Sequence, residues 1–145
     1  PSYSFEAKAE DRWTHIVIHH SGSAADTLKS MNYSHLQKQW DGIGYHFIIG
    51  NGVNTVDGEV EETFRYRQLK DGAHTLTPDL FYNKHAIGIC LVGNFNETHP
   101  TTNGIFKKTF IVVKKQIWHY EQKYFGTQRS KSNGMPWSKF PNGST

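Results

Sequence analysis

The strongest constraint on the fold is an apolar stretch at residues 41–52 that is interrupted by glycines. It reads Asp-Gly-Ile-Gly-Tyr-His-Phe-Ile-Ile-Gly-Asn-Gly. Its β-branched and aromatic residues favour a buried strand, and Asn51 and Gly52 favour a tight hairpin turn after it. Because side chains alternate along a strand, Tyr45 and His46 should point to opposite faces. Taken alone, this stretch favours two structural side chains that are hydrogen-bonded in the core.

A second stretch favours a functional site. Residues 13–23 read Trp-Thr-His-Ile-Val-Ile-His-His-Ser-Gly-Ser, which predicts another buried strand ending in His19 and His20. Binding and catalytic groups of α/β proteins gather at strand ends and in the loops that follow them. The two stretches together therefore predict a site where neighbouring strands end.

Size and composition exclude several classes of protein. The 145 residues suit one domain with a core of its own, and no apolar run is long enough to span a membrane. The formal net charge of +3 is small, and no Lys/Arg run with interleaved aromatic residues predicts a nucleic-acid groove. Cys90 is the only cysteine, so no intrachain disulfide can form, and its apolar neighbours predict a buried, inert thiol.

The predicted elements alternate between strand and helix. Strands are expected at residues 14–19, 44–49 and 86–92, and the continuous apolar run of the last implies a layer on each face. A short helix is expected at residues 30–40 and a long one at 105–124. Apolar residues at helical spacing should pack the long helix on the sheet; they are Phe106, Phe110, Val113, Ile117 and Tyr124. The chain is therefore predicted to be a single α/β domain with a central mixed sheet flanked by helices.

The other segments are predicted to be connections. Residues 52–69 should form a hairpin and an edge strand. Residues 71–84 and 96–104 are predicted to be polar loops, and loops of this length in a compact domain are often functional. Residues 1–12 are polar and are interpreted as an N-terminal arm, which leaves residues 13–145 for the domain.

Five short motifs occur in the order of a known family. They are Ile-Val-Ile-His-His-Ser-Gly-Ser, Gly-Tyr-His-Phe-Ile-Ile-Gly-Asn-Gly, Gly-Ala-His, Tyr-Asn and Ile-Gly-Ile-Cys-Leu-Val-Gly-Asn-Phe. In this order they resemble the type 2 N-acetylmuramoyl-L-alanine amidases and the peptidoglycan recognition proteins that share their fold, from about Trp13 to Phe140. The resemblance implies a mixed sheet with helices on its faces and a groove for the peptide stem of peptidoglycan. Enzymes of this family use zinc to cut the amide between the muramyl lactyl group and L-alanine.

The resemblance also assigns candidate site residues. His19 takes the place of the first zinc ligand, and Tyr45 that of a catalytic tyrosine that hydrogen-bonds to the water or the substrate. His74 and Asn83 belong to the loop that borders the groove, and together with His19 and Tyr45 they are the expected substrate-binding residues. Asn133 stands where catalytic members place a Lys or Thr that helps to hold the oxyanion, and its amide can still donate a hydrogen bond.

The zinc site departs from the family pattern. A catalytic zinc needs three ligands from His, Cys or carboxylate side chains and a fourth position for water. By the resemblance, Thr127 and Met135 stand in place of a His and a Cys ligand. A threonine hydroxyl stays protonated near neutral pH, and a thioether suits copper(I) better than zinc. His19 is then the residual ligand, and His74 is the best placed of the other histidines to supplement it.

Three functions are open at this point. The first is recognition of peptidoglycan, or of a muropeptide stem, by an extracytoplasmic or secreted domain with no cofactor. The second is an active zinc amidase, which would need the metal. The third is a remodelled protein-interaction domain without affinity for the cell wall. Neither a nucleic-acid partner nor a membrane span is expected, and the sequence leaves the oligomeric state open.

Overall fold

The computed structural model describes residues 12–125, with side chains to Glu121, as a four-stranded mixed sheet between helices. The strands are β1 (His15–His20), β2 (Phe47–Ile49), β3 (Val60–Glu62) and β4 (Ala86–Leu91). They lie in the order β1-β4-β2-β3. β4 pairs in parallel with β1 and β2, whereas β3 is antiparallel to β2. The predicted fold class and mixed sheet are confirmed.

Helices and a π-helical turn complete the described part of the chain. The helices are α1 (Leu28–Gln37), α2 (Phe64–Arg67), α3 (Phe81–His85) and α4 (Lys107–Phe125), and the π-helical turn at Thr102–Phe106 leads into α4. Within residues 12–125, no helix combines the length and the apolar character that a membrane crossing needs. Arg12 is the one residue of the predicted N-terminal arm that is described.

Two apolar layers lie on the two faces of the sheet. The layer under α4 contains Trp13, Phe47, Ile49, Val60, Tyr66, Ile87, Ile89, Leu91, Ile105 and Val112. The layer under α1 contains Met31, Ile43, Ile48, Cys90 and Val92. Neighbouring residues of β4 belong to opposite layers, because side chains alternate along a strand. The two-sided burial predicted from the continuous apolar run of this strand is therefore confirmed.

The second predicted strand is shorter than expected. β2 begins at Phe47, so residues 44–46 precede it, although His46 N–H still donates to Gly88 O of β4 over 2.8 Å. A neighbouring loop packs on this segment: Ala73 N–H donates to Gly44 O over 2.9 Å. A Cβ at Gly44 would lie 2.1 Å from Ala73 O, so only glycine allows this approach. The loop thus occupies the carbonyl of Gly44, which a longer strand would have used for pairing in the sheet.

Tyr45 and His46 lie on opposite sides of the sheet, as predicted from the alternation. His46 packs edge-on against Trp13, with ring centroids 5.0 Å apart, in the layer under α4. Tyr45 packs against the layer under α1. The same alternation separates the two histidines that end β1. His20 Nδ1 accepts from Phe95 N–H over 2.9 Å, on the side of α4, whereas His19 faces the side of Tyr45.

The prediction of a tight turn at Asn51 and Gly52 is wrong, because the connection after β2 is longer. Gly50 N–H donates to Glu59 O over 2.9 Å, so the loop covers residues 50–59. The side chain of Asn51 is used in another contact, because its Nδ2 donates to Ala24 O in the loop after β1. β3 is the predicted edge strand. Within the region predicted as a hairpin and edge strand, Phe64–Arg67 form the short helix α2.

The helix expected at residues 30–40 is displaced toward the N-terminus. Thr27 caps α1, since its hydroxyl accepts from Ser30 N–H and Ser30 Oγ accepts from Thr27 N–H. Gln39 has a left-handed backbone with φ of 64°, which is incompatible with a continuing helix. α1 therefore ends at Gln37, and Trp40 lies beyond it.

The long helix is confirmed, but the prediction of its buried face holds only in part: Val113 packs against the core as predicted. The side chains of Phe106, Phe110 and Ile117 are 65%, 46% and 49% exposed, whereas Ile105 and Val112 are buried. The cause lies in the π-helical turn. A Cβ at Gly58 would lie 2.9 Å from the Cα of Gly104, so the two glycine backbones are in contact there. This contact, one residue before Ile105, turns the Ile105 side of the helix inward.

Candidate functional site

The structure brings His19, Tyr45 and His74 together on the α1 side of the sheet. His19 lies near the end of β1, and its Nε2 is 3.0 Å from His74 Nδ1. The ring centroids of His19 and Tyr45 are 5.4 Å apart. In the strand register His19 is paired with Cys90 of β4, which faces the same layer as Tyr45. Three of the residues assigned by resemblance therefore share one surface.

Two glycines make room for His74. A Cβ at Gly88 of β4 would lie 2.4 Å from Cδ2 of the His74 ring, and a Cβ at Gly72 would lie 2.3 Å from the same atom. Neither position can carry a larger side chain unless the ring moves. The imidazole is thus held between the sheet and its own loop.

Asn83 fixes the backbone that carries His74. Its Oδ1 accepts from His74 N–H over 2.8 Å and from Thr75 N–H over 3.0 Å, and its Nδ2 donates to Thr75 O over 2.9 Å. One side chain therefore forms three hydrogen bonds with two adjacent residues. The role of Asn83 in binding substrate stays a prediction, and the contacts seen here stabilise the loop.

Tyr45 is positioned by Cys90 and His35. Its hydroxyl interacts with the buried thiol of Cys90. The His35 ring lies 5.8 Å from the Tyr45 ring, and His35 Nδ1 accepts from Gly44 N–H over 3.0 Å. The segment before β2 is therefore tied to α1 one residue before Tyr45.

The three clustered side chains are uncharged near neutral pH. Burial, followed by the neighbouring charge of His20, lowers the pKa of His19. Burial, followed by the neighbouring His19, lowers the pKa of His74 to about 4. Burial raises the pKa of Tyr45, and Cys90 adds to the shift. The His19 ring and the Tyr45 hydroxyl can therefore exchange hydrogen bonds with amides and hydroxyls of a ligand.

The second polar loop has different contacts. Thr101 Oγ1 donates to Asp57 Oδ1 over 2.6 Å, and Gly104 packs on Gly58, so this loop lies against the connection between β2 and β3. Its place on the rim of the groove stays a prediction. Asn133, Thr127 and Met135 lie outside the described residues.

The described residues do not by themselves form a catalytic zinc site. Among residues 12–125, no group of three or more His, Cys, Asp or Glu side chains is arranged to hold a metal ion. Of the three ligand positions, His19 alone lies among the described residues, and its hydrogen bond to His74 through Nε2 leaves Nδ1 available. The two remaining positions, assigned by resemblance, carry the hydroxyl of Thr127 and the thioether of Met135, neither of which suits zinc.

Three residues of the site were not predicted from the sequence. Thr75 Oγ1 lies 2.8 Å from His74 Nδ1 and 3.3 Å from His19 Nε2. His35 and Cys90 contact Tyr45 from α1 and β4. Thr75 directly follows a predicted site residue, which is a usable signal. His35 and Cys90 gave no such signal, because a helix histidine and a buried cysteine usually have structural roles.

Comparisons with known proteins agree with the fold and the motifs. The profile of a family described as N-acetylmuramoyl-L-alanine amidase matches residues 9–125. An N-acetylmuramoyl-L-alanine amidase of Sus scrofa is 35% identical over 78 residues, which are 53% of this chain and 11% of that protein. This chain therefore spans only a small part of the length of that relative.

Solved structures share the fold. Bumblebee PGRP-SA superposes with a TM-score of 0.57 at 25% identity, covering 83% of this chain and 70% of that one. The endolysin amidase LysCS of Clostridium intestinale superposes with a TM-score of 0.52 at 25% identity, covering 88% and 74%. An endolysin of a Thermus scotoductus bacteriophage, Ph2119, reaches a TM-score of 0.59 at 17% identity over 81% and 71% of the two chains, which shows the fold alone. The strand order, the histidine at the end of β1 and the extent of the family match lead to one conclusion: this chain belongs to the N-acetylmuramoyl-L-alanine amidase family.

Proposed function

We propose that this domain recognises peptidoglycan through the peptide stem of a muropeptide and does not hydrolyse it. The main support for the proposal is the set of side chains at the three zinc-ligand positions, of which His19 is the first. A zinc amidase needs three ligands from His, Cys or carboxylate side chains, and the resemblance places Thr127 and Met135 at two of the three positions. The side chains expected to contact a ligand are kept, whereas two of the three that would hold the metal are replaced.

The chemistry of the described surface supports recognition. A muropeptide stem offers amide N–H groups, carbonyl oxygens and sugar hydroxyls. His19, Tyr45 and His74 form a partly buried cluster whose pKa shifts keep all three neutral at pH 7. Polar groups in such a pocket fix the orientation of a ligand, and apolar walls supply much of the affinity.

The domain would meet this ligand outside the cytoplasm, where peptidoglycan lies. Localisation as an extracytoplasmic or secreted protein follows from the proposed ligand. Cys90 is compatible with such a setting, since it is buried and is the only cysteine of the chain.

The test measures zinc and binding in the same preparation. After dialysis, metal analysis should find far less than one zinc per chain, while calorimetry with a soluble muramyl pentapeptide should show binding. Tyr45→Ala and His74→Ala should each weaken binding by about tenfold, the loss expected for one or two buried contacts. His15→Ala is the matched control, because His15 is exposed and lies at the opposite end of β1.

Each opposing result identifies another function. One tightly held zinc per chain, with release of stem peptide from cell walls, would establish an active amidase. Failure to bind either the pentapeptide or insoluble peptidoglycan would favour a remodelled interaction domain. Unchanged affinity in both alanine variants would place the binding surface elsewhere.

A further inference from the structure

His74 has no ring nitrogen free for a ligand. Its Nε2 faces Ala86 O at 3.4 Å, and its Nδ1 lies 3.0 Å from His19 Nε2 and 2.8 Å from Thr75 Oγ1. Its ring is enclosed by Gly72 and Gly88. A histidine whose two nitrogens are both used within the protein acts on a ligand through its neighbours.

The direction of the hydrogen bond between the two histidines follows from Ala86. A carbonyl oxygen only accepts hydrogen bonds, so the proton of a neutral His74 belongs on Nε2, which faces Ala86 O. Nδ1 of His74 is then an acceptor, and His19 Nε2–H donates to it. The Thr75 hydroxyl fits the same direction, since it can accept from His19 Nε2 and donate to His74 Nδ1.

The consequence reaches the exposed side of His19. A neutral imidazole that carries its proton on Nε2 has a lone pair on Nδ1. Among the described residues, Nδ1 of His19 has no hydrogen-bond partner, and the side chain is partly exposed. The ligand therefore meets an acceptor at this point.

We propose that His74 is a positioning residue that accepts a hydrogen bond from Nε2 of His19 and so presents Nδ1 of His19 to an amide N–H of the muropeptide stem. The second half of this inference rests on the proposed function, and the first half does not. Asn83 belongs to the same unit, because its side chain holds the backbone of His74 and Thr75.

Nitrogen NMR on the free, uniformly labelled chain at pH 7 tests the bond itself. The expected spectrum shows a proton on Nε2 of both histidines and a scalar coupling across the hydrogen bond between His19 Nε2 and His74 Nδ1. A proton on Nδ1 of His19, or on Nδ1 of His74, would overturn the proposal. This measurement needs no ligand.

Two substitutions separate the acceptor from the shape of the ring. His74→Phe keeps a ring between the two glycines but removes both nitrogens, and it should weaken binding of a muramyl pentapeptide by about tenfold. His74→Asn places an amide oxygen close to the position of Nδ1 and should keep the affinity within about threefold of the wild-type value. His15→Phe is the control for the same change away from the site, and backbone amide spectra would verify the fold of each variant.

The outcomes are distinct. Equal losses in His74→Phe and His74→Asn would mean that the ring acts by its shape, which overturns the positioning role. Full affinity in His74→Phe would overturn it as well. If the wild-type chain does not bind the pentapeptide, the proposed function fails, whereas the proton positions in the free protein still decide the direction of the bond.

Discussion

Gly88 and the ring of His74 compete for one space: a Cβ at position 88 would lie 2.4 Å from His74 Cδ2. Gly88→Ala should therefore push the imidazole away from His19 and weaken muramyl pentapeptide binding by about tenfold. The change should also cost about 1 to 3 kcal/mol of unfolding free energy through overpacking. Calorimetry and urea unfolding measure the two effects.

Gly104→Ala is the control for this substitution. A Cβ there would lie 2.2 Å from the carboxylate of Asp57, which is exposed and can move aside, and the position is far along the chain from the histidine pair. We expect a smaller loss of stability with unchanged affinity. Loss of affinity in both variants would show that binding follows general stability and not the place of His74.

Restoring the zinc ligands is the most direct test of the proposal that positions 127 and 135 no longer hold zinc. Thr127→His combined with Met135→Cys should recover a zinc site with His19, because three ligands then complete the coordination. Either single change should do little, so the gain should be strongly non-additive. Zinc content after dialysis, followed by release of stem peptide from cell walls, is the measurement. Absence of zinc in the double variant would contradict the alignment of positions 127 and 135.

Acid should destabilise the fold through His46. Burial lowers the pKa of His46 to about 3, and its Nε2 lies 2.9 Å from Lys70 O. Below a pH of about 6.5 this histidine binds a proton in the unfolded chain, whereas in the folded chain it stays neutral down to a pH of about 3. Its contribution to stability is therefore complete above a pH of about 6.5 and decreases as the pH falls toward 3. Between pH 7 and pH 5 this residue alone should cost about 2 kcal/mol.

Urea unfolding at pH 7, 6 and 5 checks the effect of His46. His46→Gln should be less stable at pH 7, since it loses the acceptor for Gly88 N–H, but its stability should fall less steeply with acid. Parallel pH curves for the two proteins would assign the acid sensitivity to other groups.

Arg65 should be a major contributor to stability near the site. Its Nε donates to Ile43 O and its Nη1 donates to Asp71 O, both over 2.6 Å, and it pairs with Asp41. The side chain is only 4% exposed, so Arg65→Met would leave two partly buried carbonyls without donors. We expect a loss of about 2 to 4 kcal/mol in unfolding free energy.

The matched control for Arg65 is Arg67→Met, in the same short helix but at an exposed position. Its cost should stay below about 1 kcal/mol, as for most exposed polar side chains. A similar cost for the two variants would mean that the buried hydrogen bonds of Arg65 contribute little net stability.

The sequence predicted those parts of the fold in which periodicity and motif order act together. The strands at His15–His20 and Ala86–Leu91 and the helix at Lys107–Phe125 were located within a few residues, because their apolar patterns match what the core requires. On the buried side of the long helix, Val113 was predicted correctly, whereas Phe106, Phe110 and Ile117 were not. Two faces of this helix, one residue apart in the sequence, both carry apolar side chains. The contact between Gly58 and Gly104 places Ile105 on the buried face, and it joins residues that are far apart in the sequence.

The candidate site shows the same division. Motif order located His19, Tyr45 and His74, and the structure brings them together. The hydrogen bond between the two histidines depends on a loop folding back over Gly88, which is an approach between segments far apart in the chain. No local pattern encodes such a contact, so the partners of these side chains required the fold.

The buried thiol of Cys90, next to Tyr45, also gives the domain a built-in reporter. The thiol is fully buried, and burial raises its pKa to about 12, so a thiol reagent should reach it only when the sheet opens locally. Its labelling rate therefore measures the opening equilibrium of β4, the strand that underlies His74 and pairs with His19. A muropeptide that binds the closed surface should slow that labelling in proportion to its occupancy, with no need for an added probe.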